Sequence, residues 1–393
     1  MPNYLLQFFY RDVEFFMRCS MDYNILVINP GSTSDQISYF RGEKEIFHKT
    51  VRYSPEDLKQ FEHKKSTDQF DFRKNLILKT IEENNVDMKE VDAFIGLCGL
   101  VKPVESGVYE VTPEVVRDLY AGVSGDHPIN LAGILADYFA KQTGAKAFVA
   151  DPPVADEMEP FTKYSGMPEN PRTPLFHPLN QKRVARHAAA AVGKPYEECN
   201  FIIMHAGGGV SVGAHKNGRV VDINNALDGE GPFTPQRSGT VPVGPLVRLC
   251  YSGKYTFQEM YQKVRGKGGL IAYTGTSDCA AIEDYIETGN VKPGSGLDPK
   301  KVSREEAKNV LVAMAYKMSR EICALGAMFA GEPIDAVILT GGLAHSKFLM
   351  GEVKRRTSWL ADQVLVYPGG DEMTALRVQA ERALNNPKIV KKY

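Results

Sequence analysis

The stretch ILVINPGSTS at residues 25–34 decides the fold, together with its counterpart FIIMHAGGGVS at residues 201–211. In both, a short apolar run typical of a buried strand ends in a turn of small residues. A further glycine, Gly42 in one half and Gly218 in the other, follows each stretch at the same distance. The chain is therefore predicted to repeat one strand–turn–strand hairpin in its two halves.

The two turns have a composition that suits phosphate. Glycine lets a backbone approach a phosphate without an intervening Cβ, and turn N–H groups then point at the anion together with Ser or Thr hydroxyls. Two such hairpins can bind one nucleotide from two sides. The candidate residues are Ser32, Thr33 and Ser34 in the first turn and Gly207, Gly208 and Gly209 in the second.

Two other phosphate-binding motifs do not occur. The chain has no Gly-x-x-x-x-Gly-Lys-[Ser/Thr] sequence, and no Gly-x-Gly-x-x-Gly follows a strand-like run. A third glycine turn, at Gly341 and Gly342, ends the run AVILTGG and offers a backbone surface for a flat ring. Either hairpin alone is equally compatible with a tight structural turn, whereas the spaced pair with this third turn favours a nucleotide site.

Composition sets the class of protein. The 393 residues are 43% hydrophobic and 24% charged, which is typical of a globular chain with two domains. A net charge of −1 gives no electrostatic reason to expect nucleic acid or an anionic membrane as partner. The 6 cysteines are scattered, without a zinc-binding spacing, so a reduced cytoplasmic setting is expected.

Strand-like runs alternate with helical patterns, which predicts an α/β fold. A proline-rich stretch at residues 151–180 is interpreted as the crossing between two domains. Domain I is predicted to comprise residues 21–173 with 371–393, and domain II residues 174–370. Residues 1–20 are expected to be an extension outside the fold, the alternative being a helix that packs on the body.

Seven motifs follow one another along the chain. They are VINPGSTS at 27–34, KPVESGVYEV at 102–111, FHPLNQKRVAR at 176–186, HAGGGVSVGAH at 205–215, ALDGEGPFTPQRSGTVP at 226–242, LTGGLAHS at 339–346 and YPGGDEM at 367–373. In this order they resemble the butyrate kinases, in the acetate kinase branch of the sugar kinase, Hsp70 and actin superfamily. DGEGPF followed by QRSG is highly specific for that branch.

The resemblance implies two ribonuclease H-like domains with an ATP cleft between them. It also implies that ATP and Mg²⁺ are used to convert a short-chain fatty acid, butyrate or isobutyrate-like, reversibly to an acyl phosphate. A carboxylate is already ionised at pH 7, so it needs no general base. The chemical difficulty is to stabilise negative charge on the moving phosphoryl group, which calls for Arg, His and Mg²⁺.

Site residues follow by resemblance. Arg237 matches the family's transition-state arginine, and His177 matches the histidine near the transferred phosphoryl. Asp151 matches an aspartate near Mg²⁺ and the nucleophile, while Asp371 and Glu372 match the acidic pair linked to Mg²⁺. The alternatives are a surface arginine, a core histidine, a loop-capping aspartate and an acidic pair at a helix N-terminus.

The resemblance also extends the nucleotide site. Asn29 stands where superfamily relatives often carry Asp, so the remaining acids matter more for the metal. The further candidates are Asn29, Gly31, His205 and Ser211 at the phosphates, and Asp278, Gly341, Gly342, Leu343, Ala344, His345 and Ser346 on the adenosine side.

One departure from the family is prominent. Butyrate kinases usually read Gly-Arg-Gly-Gly where this chain reads Gly96-Leu97-Cys98-Gly99. Leu97 thus replaces an arginine thought to neutralise the carboxylate or phosphoryl, and Lys102 is a candidate to compensate. The alternative function is a diverged paralogue with weak kinase activity, acting as a nucleotide sensor or using another acid. The family is usually dimeric or larger, so a homodimer or higher homo-oligomer is expected.

Overall fold

The computed structural model describes residues 22–393, so the extension predicted for residues 1–20 lies outside the described residues. The described chain divides into two compact units. The first comprises residues 22–152 with Glu372–Tyr393, and the second comprises Pro153–Asp371.

Each unit is built from strands and helices in alternation. The strands are β1 (Asn24–Pro30), β2 (Ser34–Arg41), β3 (Lys44–Arg52), β4 (Ala93–Leu97), β5 (Val108–Glu110), β6 (Lys146–Ala150), β7 (Asn200–Ala206), β8 (Val210–Lys216), β9 (Arg219–Ile223), β10 (Ala336–Gly341) and β11 (Val364–Pro368). The α-helices are α1 (Pro55–Lys59), α2 (Phe70–Glu83), α3 (Pro113–Ala121), α4 (Leu131–Thr143), α5 (Pro178–Val192), α6 (Val243–Cys250), α7 (Phe257–Arg265), α8 (Leu270–Thr274), α9 (Cys279–Thr288), α10 (Arg304–Leu325), α11 (Lys347–Thr357) and α12 (Glu372–Asn385).

The first unit has a six-stranded sheet in the order β3-β2-β1-β4-β6-β5. Strand β1 pairs antiparallel with β2 and parallel with β4. Its apolar run, Ile25 to Ile28, is no more than 1% exposed, because helices α4 and α12 pack on this part of the sheet. A strand buried on both faces reads as a continuous apolar run, which is the pattern quoted from the sequence.

The second unit repeats this arrangement. Its five strands lie in the order β11-β10-β7-β8-β9, with β7 antiparallel to β8 and parallel to β10. On one face of this sheet, apolar side chains of β7, β8 and β10 join those of α10 in one core. The β7–β8 hairpin thus holds in its sheet the place that β1–β2 holds in the other. The predicted α/β fold with a repeated hairpin is confirmed.

Residues 153–173 cluster with the second unit, whereas the sequence-based boundary assigned them to domain I. The Glu159 N–H donates to the Val221 carbonyl at 2.9 Å, which ties this stretch to β9. Met158 is buried in a small apolar cluster that also contains Val220 and Ile223. A proline-rich stretch without periodicity carries no signal for the sheet on which it packs.

A buried ion pair supports the first hairpin. Asp35, directly after the turn, pairs with Arg73 of α2, and both side chains are almost fully buried. The Tyr53 hydroxyl donates to the other carboxylate oxygen. Burial raises the pKa of Asp35, and the Arg73 charge opposes that rise. The first hairpin therefore contains a buried carboxylate, Asp35, whose charge is balanced by Arg73 of α2.

We expect Arg73→Leu to destabilise the first unit by about 3–5 kcal/mol, because it leaves the Asp35 carboxylate buried without its cation. Thermal unfolding followed by circular dichroism should show the loss as a lower Tm. Arg41→Leu is the matched control, since Arg41 pairs with Glu90 on the surface. A melting temperature equally unchanged in both variants would contradict this account.

Candidate functional site

The turn of the first hairpin is held by one backbone hydrogen bond. The Gly31 N–H donates to the Ser34 carbonyl at 2.8 Å, and a Cβ on Gly31 would lie 2.9 Å from that same oxygen. Ser32 and Thr33 are exposed at the tip. The turn therefore requires glycine at its first position and presents two hydroxyl residues, as a phosphate-binding turn should.

His127 joins this turn, although the sequence did not single it out. Its Nε2 lies 3.4 Å from the Ser32 hydroxyl, and its Nδ1 accepts from the Ile129 N–H at 3.2 Å. Because Nδ1 accepts, the ring proton lies on Nε2, which adds a donor beside the phosphate turn. The motif His-Pro-Ile-Asn at a helix start was the available signal, but nothing in it points to residue 32.

The phosphate-site candidate Asn29 and the predicted metal ligand Glu372 meet where β1 ends and α12 begins. The Asn29 Nδ2 donates to Glu372 Oε2 at 2.8 Å, and burial raises the pKa of Glu372 against that hydrogen bond. Asp371, the preceding residue, is exposed. The hydrogen-bond partner of this buried carboxylate is a neutral amide, so a nearby cation would stabilise its ionised form. The pair of a carboxylate and an amide therefore fits Mg²⁺.

Asp151 has different surroundings from the other predicted metal ligands. It is 1% exposed, and its two carboxylate oxygens accept from the Ser106 hydroxyl at 2.6 Å and the Gln379 amide at 2.9 Å. Its backbone is left-handed, with φ of +45°. These contacts favour a loop-positioning role, and direct contact with metal or nucleophile remains a prediction.

No preformed metal cage exists in residues 22–393, where no three His, Cys, Asp or Glu side chains are grouped to hold an ion. Mg²⁺ usually takes one or two carboxylates together with waters and substrate phosphates, so such a cage is not required. In the same part of the chain, no helix combines the length and apolar character that crossing a bilayer requires.

The second hairpin is shaped around Arg237. The Gly207 N–H donates to the Gly209 carbonyl at 2.8 Å, and the Thr234 hydroxyl donates to the Gly208 carbonyl at 2.7 Å. A Cβ on Gly209 would lie 2.0 Å from an Arg237 guanidinium nitrogen. Glycine at residue 209 therefore lets the guanidinium lie against the turn, and a Cβ there would force the guanidinium to move away.

The Arg237 guanidinium is half-buried and keeps its charge without a carboxylate in hydrogen-bond contact among the described residues. One of its nitrogens donates to the Ala226 carbonyl at 2.6 Å. Burial and the nearby charge of Arg265 lower its pKa, and an arginine stays protonated even so. A cation of this kind beside a glycine turn suits an anionic phosphoryl group.

His177 and His205 stack with ring centres 3.9 Å apart and planes 10° from parallel. Burial lowers the pKa of His205 to about 4. Burial holds the pKa of His177 well below its usual range, and the Arg237 charge and the adjoining His205 ring lower it further. Both rings are therefore neutral at pH 7 and act there as hydrogen-bonding groups rather than as cations.

Of the polar side chains around the two rings, Ser211 was a phosphate-site candidate from the sequence, whereas Asn180 and Thr340 were not candidates. The Asn180 amide nitrogen lies 2.7 Å from His205 Nδ1 and 3.2 Å from the Thr340 hydroxyl. The Ser211 hydroxyl lies 2.9 Å from His177 Nδ1. Asn180 follows His177 by three residues at the start of α5, and this helical spacing was the only available signal.

The adenosine-side candidates divide into two groups. Gly341 has φ of +91°, and a Cβ there would lie 2.4 Å from the Ala206 carbonyl, whereas nothing lies within 4 Å of a Cβ on Gly342. The open side of Gly342 suits a flat ring. Leu343, Ala344 and His345 continue from it in a short 3-10 turn.

The side chains of Asp278 and Ser346 are used as helix caps. Asp278 accepts from the Ala281 N–H at the start of α9 and pairs with Lys292 at 3.2 Å. Ser346 accepts from the Leu349 N–H at the start of α11. A nucleotide contact through either side chain remains a prediction.

Two sequence features turn out to be structural. Glu230, from the DGEGPF motif, forms an ion pair with Arg172 and accepts from the Asn225 N–H, which anchors the loop leading to Arg237. Lys102 pairs with Glu114 at 2.7 Å, and this pair provides no support for compensation at Leu97.

We expect the buried histidines to make the fold less stable in acid. Unfolded histidine titrates near 6.5, so between pH ~6.5 and ~4 the unfolded chain binds more protons, and the free energy of unfolding falls by up to about 1.4 kcal/mol per pH unit for each such histidine. His215 belongs to the same class, since burial holds its pKa well below normal.

Tm measured from pH ~7.5 to ~5.5 tests this linkage. The fall in Tm should be shallower in His215→Gln than in the parent chain. His63→Asn is the control, because His63 is exposed with φ of +64°, a conformation that Asn tolerates. Identical slopes in the parent and His215→Gln would refute the prediction.

Comparisons with known proteins identify the family of this chain. Residues 172–354 match the model of the acetokinase family. The chain is 49% identical over 373 residues to a "Probable butyrate kinase" of Elusimicrobium minutum, covering 95% of this chain and 100% of that protein. It is 43% identical, with the same coverage, to "Butyrate kinase 2" of Clostridium acetobutylicum.

A solved structure supports the fold. The acetate kinase of Porphyromonas gingivalis gives a TM-score of 0.72 at 19% identity, covering 92% of this chain and 100% of that one. The two-unit α/β architecture inferred from the repeated hairpin is thereby confirmed. The identity to the two relatives, over nearly the whole chain, confirms the family inferred from the motifs: the chain belongs to the acetokinase family.

Proposed function

We propose that this protein is a carboxylate kinase that transfers a phosphoryl group between ATP and a short-chain fatty acid, butyrate or isobutyrate-like, to give an acyl phosphate and ADP. Family membership supports the reaction class, and the names of the two relatives support the acid. The observation that carries the proposal is the Arg237 guanidinium against the Gly207–Gly209 turn, close to the His177 and His205 rings.

The reaction requires this chain to stabilise charge on the transferring phosphoryl group rather than to supply a general base. The acceptor carboxylate is ionised at neutral pH and attacks directly. Arg237 offers fixed donors to the equatorial oxygens of the transferring phosphoryl group, whose charge grows in the transition state. His177 and His205 are neutral because they are buried, so they add N–H donors without adding positive charge. A positively charged ring would bind the ground-state phosphate as well as the transition state and would not accelerate the reaction.

Nucleotide and metal are assigned to the two hairpins and the residues beside them. Ser32, Thr33 and Gly207–Gly209 would hold the phosphates, and the ring of the base would lie on the Gly342 side. Asn29, Glu372 and Asp371 would hold Mg²⁺, which when bound neutralises charge on the phosphate oxygens. Asp151 is proposed to shape the loop after β6.

The rival function is a nucleotide sensor with a crippled acyl site. Leu97 is its support, because a cleft arginine is replaced and Lys102 is already paired with Glu114. The half-buried, positively charged Arg237 and the neutral histidine pair favour the kinase, since a sensor has no need of transition-state donors.

The proposal includes a homo-oligomer, most simply a homodimer, in the cytoplasm, with neither nucleic acid nor membrane as partner. Helix α6 has no buried residue, and Val243, Val247 and Tyr251 are 65%, 49% and 89% exposed. Apolar side chains exposed together in this way are typical of an interface. The net charge of −1 supports the absence of an anionic partner.

We expect Arg237→Ala to lower kcat by about 10²–10³-fold, the effect of removing one preformed transition-state donor. Acyl phosphate formed from MgATP and a series of acids, acetate to branched valerates, is trapped with hydroxylamine. Arg355→Ala is the control, because Arg355 is exposed and pairs with Glu352 on α11. ATP binding without acyl phosphate from any acid would favour the sensor.

We expect Leu97→Arg to lower turnover, because Leu97 is half-buried at the end of β4 and a new guanidinium there must be desolvated without a preformed partner. Leu97→Met keeps the side-chain volume and serves as the control. The same hydroxylamine assay measures both. A large gain of turnover in Leu97→Arg would instead identify a weakened acyl site.

A further inference from the structure

A line of hydrogen bonds runs through the interior of the second unit and ends at His177. The Tyr196 hydroxyl lies 2.8 Å from His215 Nδ1, and His215 Nε2 lies 2.9 Å from Gln181 Oε1. Gln181 Nε2 lies 2.8 Å from the Ser211 hydroxyl, which is 2.9 Å from His177 Nδ1. Gln181, Ser211 and His215 are each 0% exposed, so water does not interrupt the line.

The orientation of the Gln181 amide is determined by the backbone. Gln181 Nε2 also lies 3.2 Å from the Ser211 carbonyl, which can only accept a hydrogen bond. The amide nitrogen must therefore face Ser211, and the amide oxygen must face His215. His215 then carries its proton on Nε2, and its Nδ1 accepts from the Tyr196 hydroxyl.

This orientation sets the direction of the remaining hydrogen bonds. The Ser211 oxygen accepts from the Gln181 amide, and its own proton is then directed to His177 Nδ1. In the reverse direction, with a proton on His177 Nδ1, the Ser211 hydroxyl would accept twice and its proton would have no acceptor among the described residues. A buried hydroxyl proton without an acceptor loses its hydrogen bond to water and gains none in return, which disfavours that direction.

We infer that Gln181 and Ser211 are positioning residues that hold His177 as the Nε2–H tautomer, so that Nε2–H is the donor offered to the transferring phosphoryl group. The phosphoryl contact rests on the proposed function, whereas the tautomer does not. His177 with its proton on Nδ1 would present a lone pair at Nε2, which repels an anionic oxygen.

An independent set of contacts gives the stacked partner the same tautomer. The Asn180 amide nitrogen donates to His205 Nδ1, and Arg183 donates to the Asn180 oxygen at 3.3 Å, which fixes the orientation of that amide. His205 therefore also carries its proton on Nε2. Two stacked neutral rings thus have their donors on equivalent atoms, each set by a different residue of helix α5.

The tautomer can be measured without substrate. In the full chain labelled with ¹⁵N-histidine, long-range ¹H–¹⁵N correlation distinguishes Nε2–H from Nδ1–H for each of the 8 histidines. The His177 signals are assigned by their loss in His177→Gln. We expect Nε2–H for His177, and an Nδ1–H pattern would overturn the inference.

Gln181→Glu tests the direction of the hydrogen bonds. A carboxylate at residue 181 only accepts, so Ser211 would donate to it and His177 would move its proton to Nδ1 to donate to Ser211. We expect this tautomer change together with a loss of kcat of about 10–100-fold, with KM for ATP within about twofold of the parent. Gln262→Glu, on the exposed face of α7, is the matched control.

Ser211→Ala covers the case in which Gln181→Glu does not fold. It removes the hydrogen-bond partner of Nδ1, so we expect His177 to show a mixture of tautomers, and Ser211→Thr to restore Nε2–H and kcat. An unchanged tautomer in Ser211→Ala, or a changed tautomer with full kcat, would overturn the positioning role. Absence of acyl phosphate from the parent chain would count against the proposed function and leave the tautomer result standing.

Discussion

The absence of a side chain at Gly209 is the constraint on which the second half of the site depends. A Cβ there would overlap the Arg237 guanidinium, so the β7–β8 turn and the arginine can share this space only with glycine present. Thr234 holds the backbone of Arg237 in place. Its hydroxyl donates to the Gly208 carbonyl and accepts from the backbone N–H of Arg237. The Thr234 hydroxyl thus connects the loop that carries Arg237 to the β7–β8 turn.

Burial gives the histidines their chemical character. An exposed histidine titrates near pH 6.5, but the ring of His205, desolvated beside the sheet, stays neutral down to a pH of about 4. Neutral rings have one donor and one acceptor nitrogen, so their hydrogen-bond partners decide which atom can serve an anion. At the start of α5, the Asn180 amide determines which nitrogen of His205 carries the proton. The Gln181 amide does the same for His177, through Ser211. Helix α5 is therefore part of the site although neither amide was a candidate from the sequence.

The first hairpin has a similar dependence on distant residues. Its turn is supported by a carboxylate, Asp35, that is neutralised from α2, and its exposed hydroxyl at Ser32 is joined by His127 from the start of a 3-10 turn. The C-terminal helix α12 brings Glu372 to Asn29 after more than 340 residues of intervening chain. Each of these contacts joins segments that are far apart in the sequence.

The sequence by itself determined the α/β class and the repeated hairpin, because strand periodicity and glycine turns are local patterns. Its motifs determined the family, and Arg237 and His177 became candidates through that resemblance. Only the tertiary structure decided that residues 153–173 pack with the second unit, that Lys102 is paired with Glu114, and that His127 adjoins Ser32. It also decided the His177 tautomer. These outcomes depend on which side chains meet across different elements and on how deeply they are buried, and neither property has a local signature in the chain.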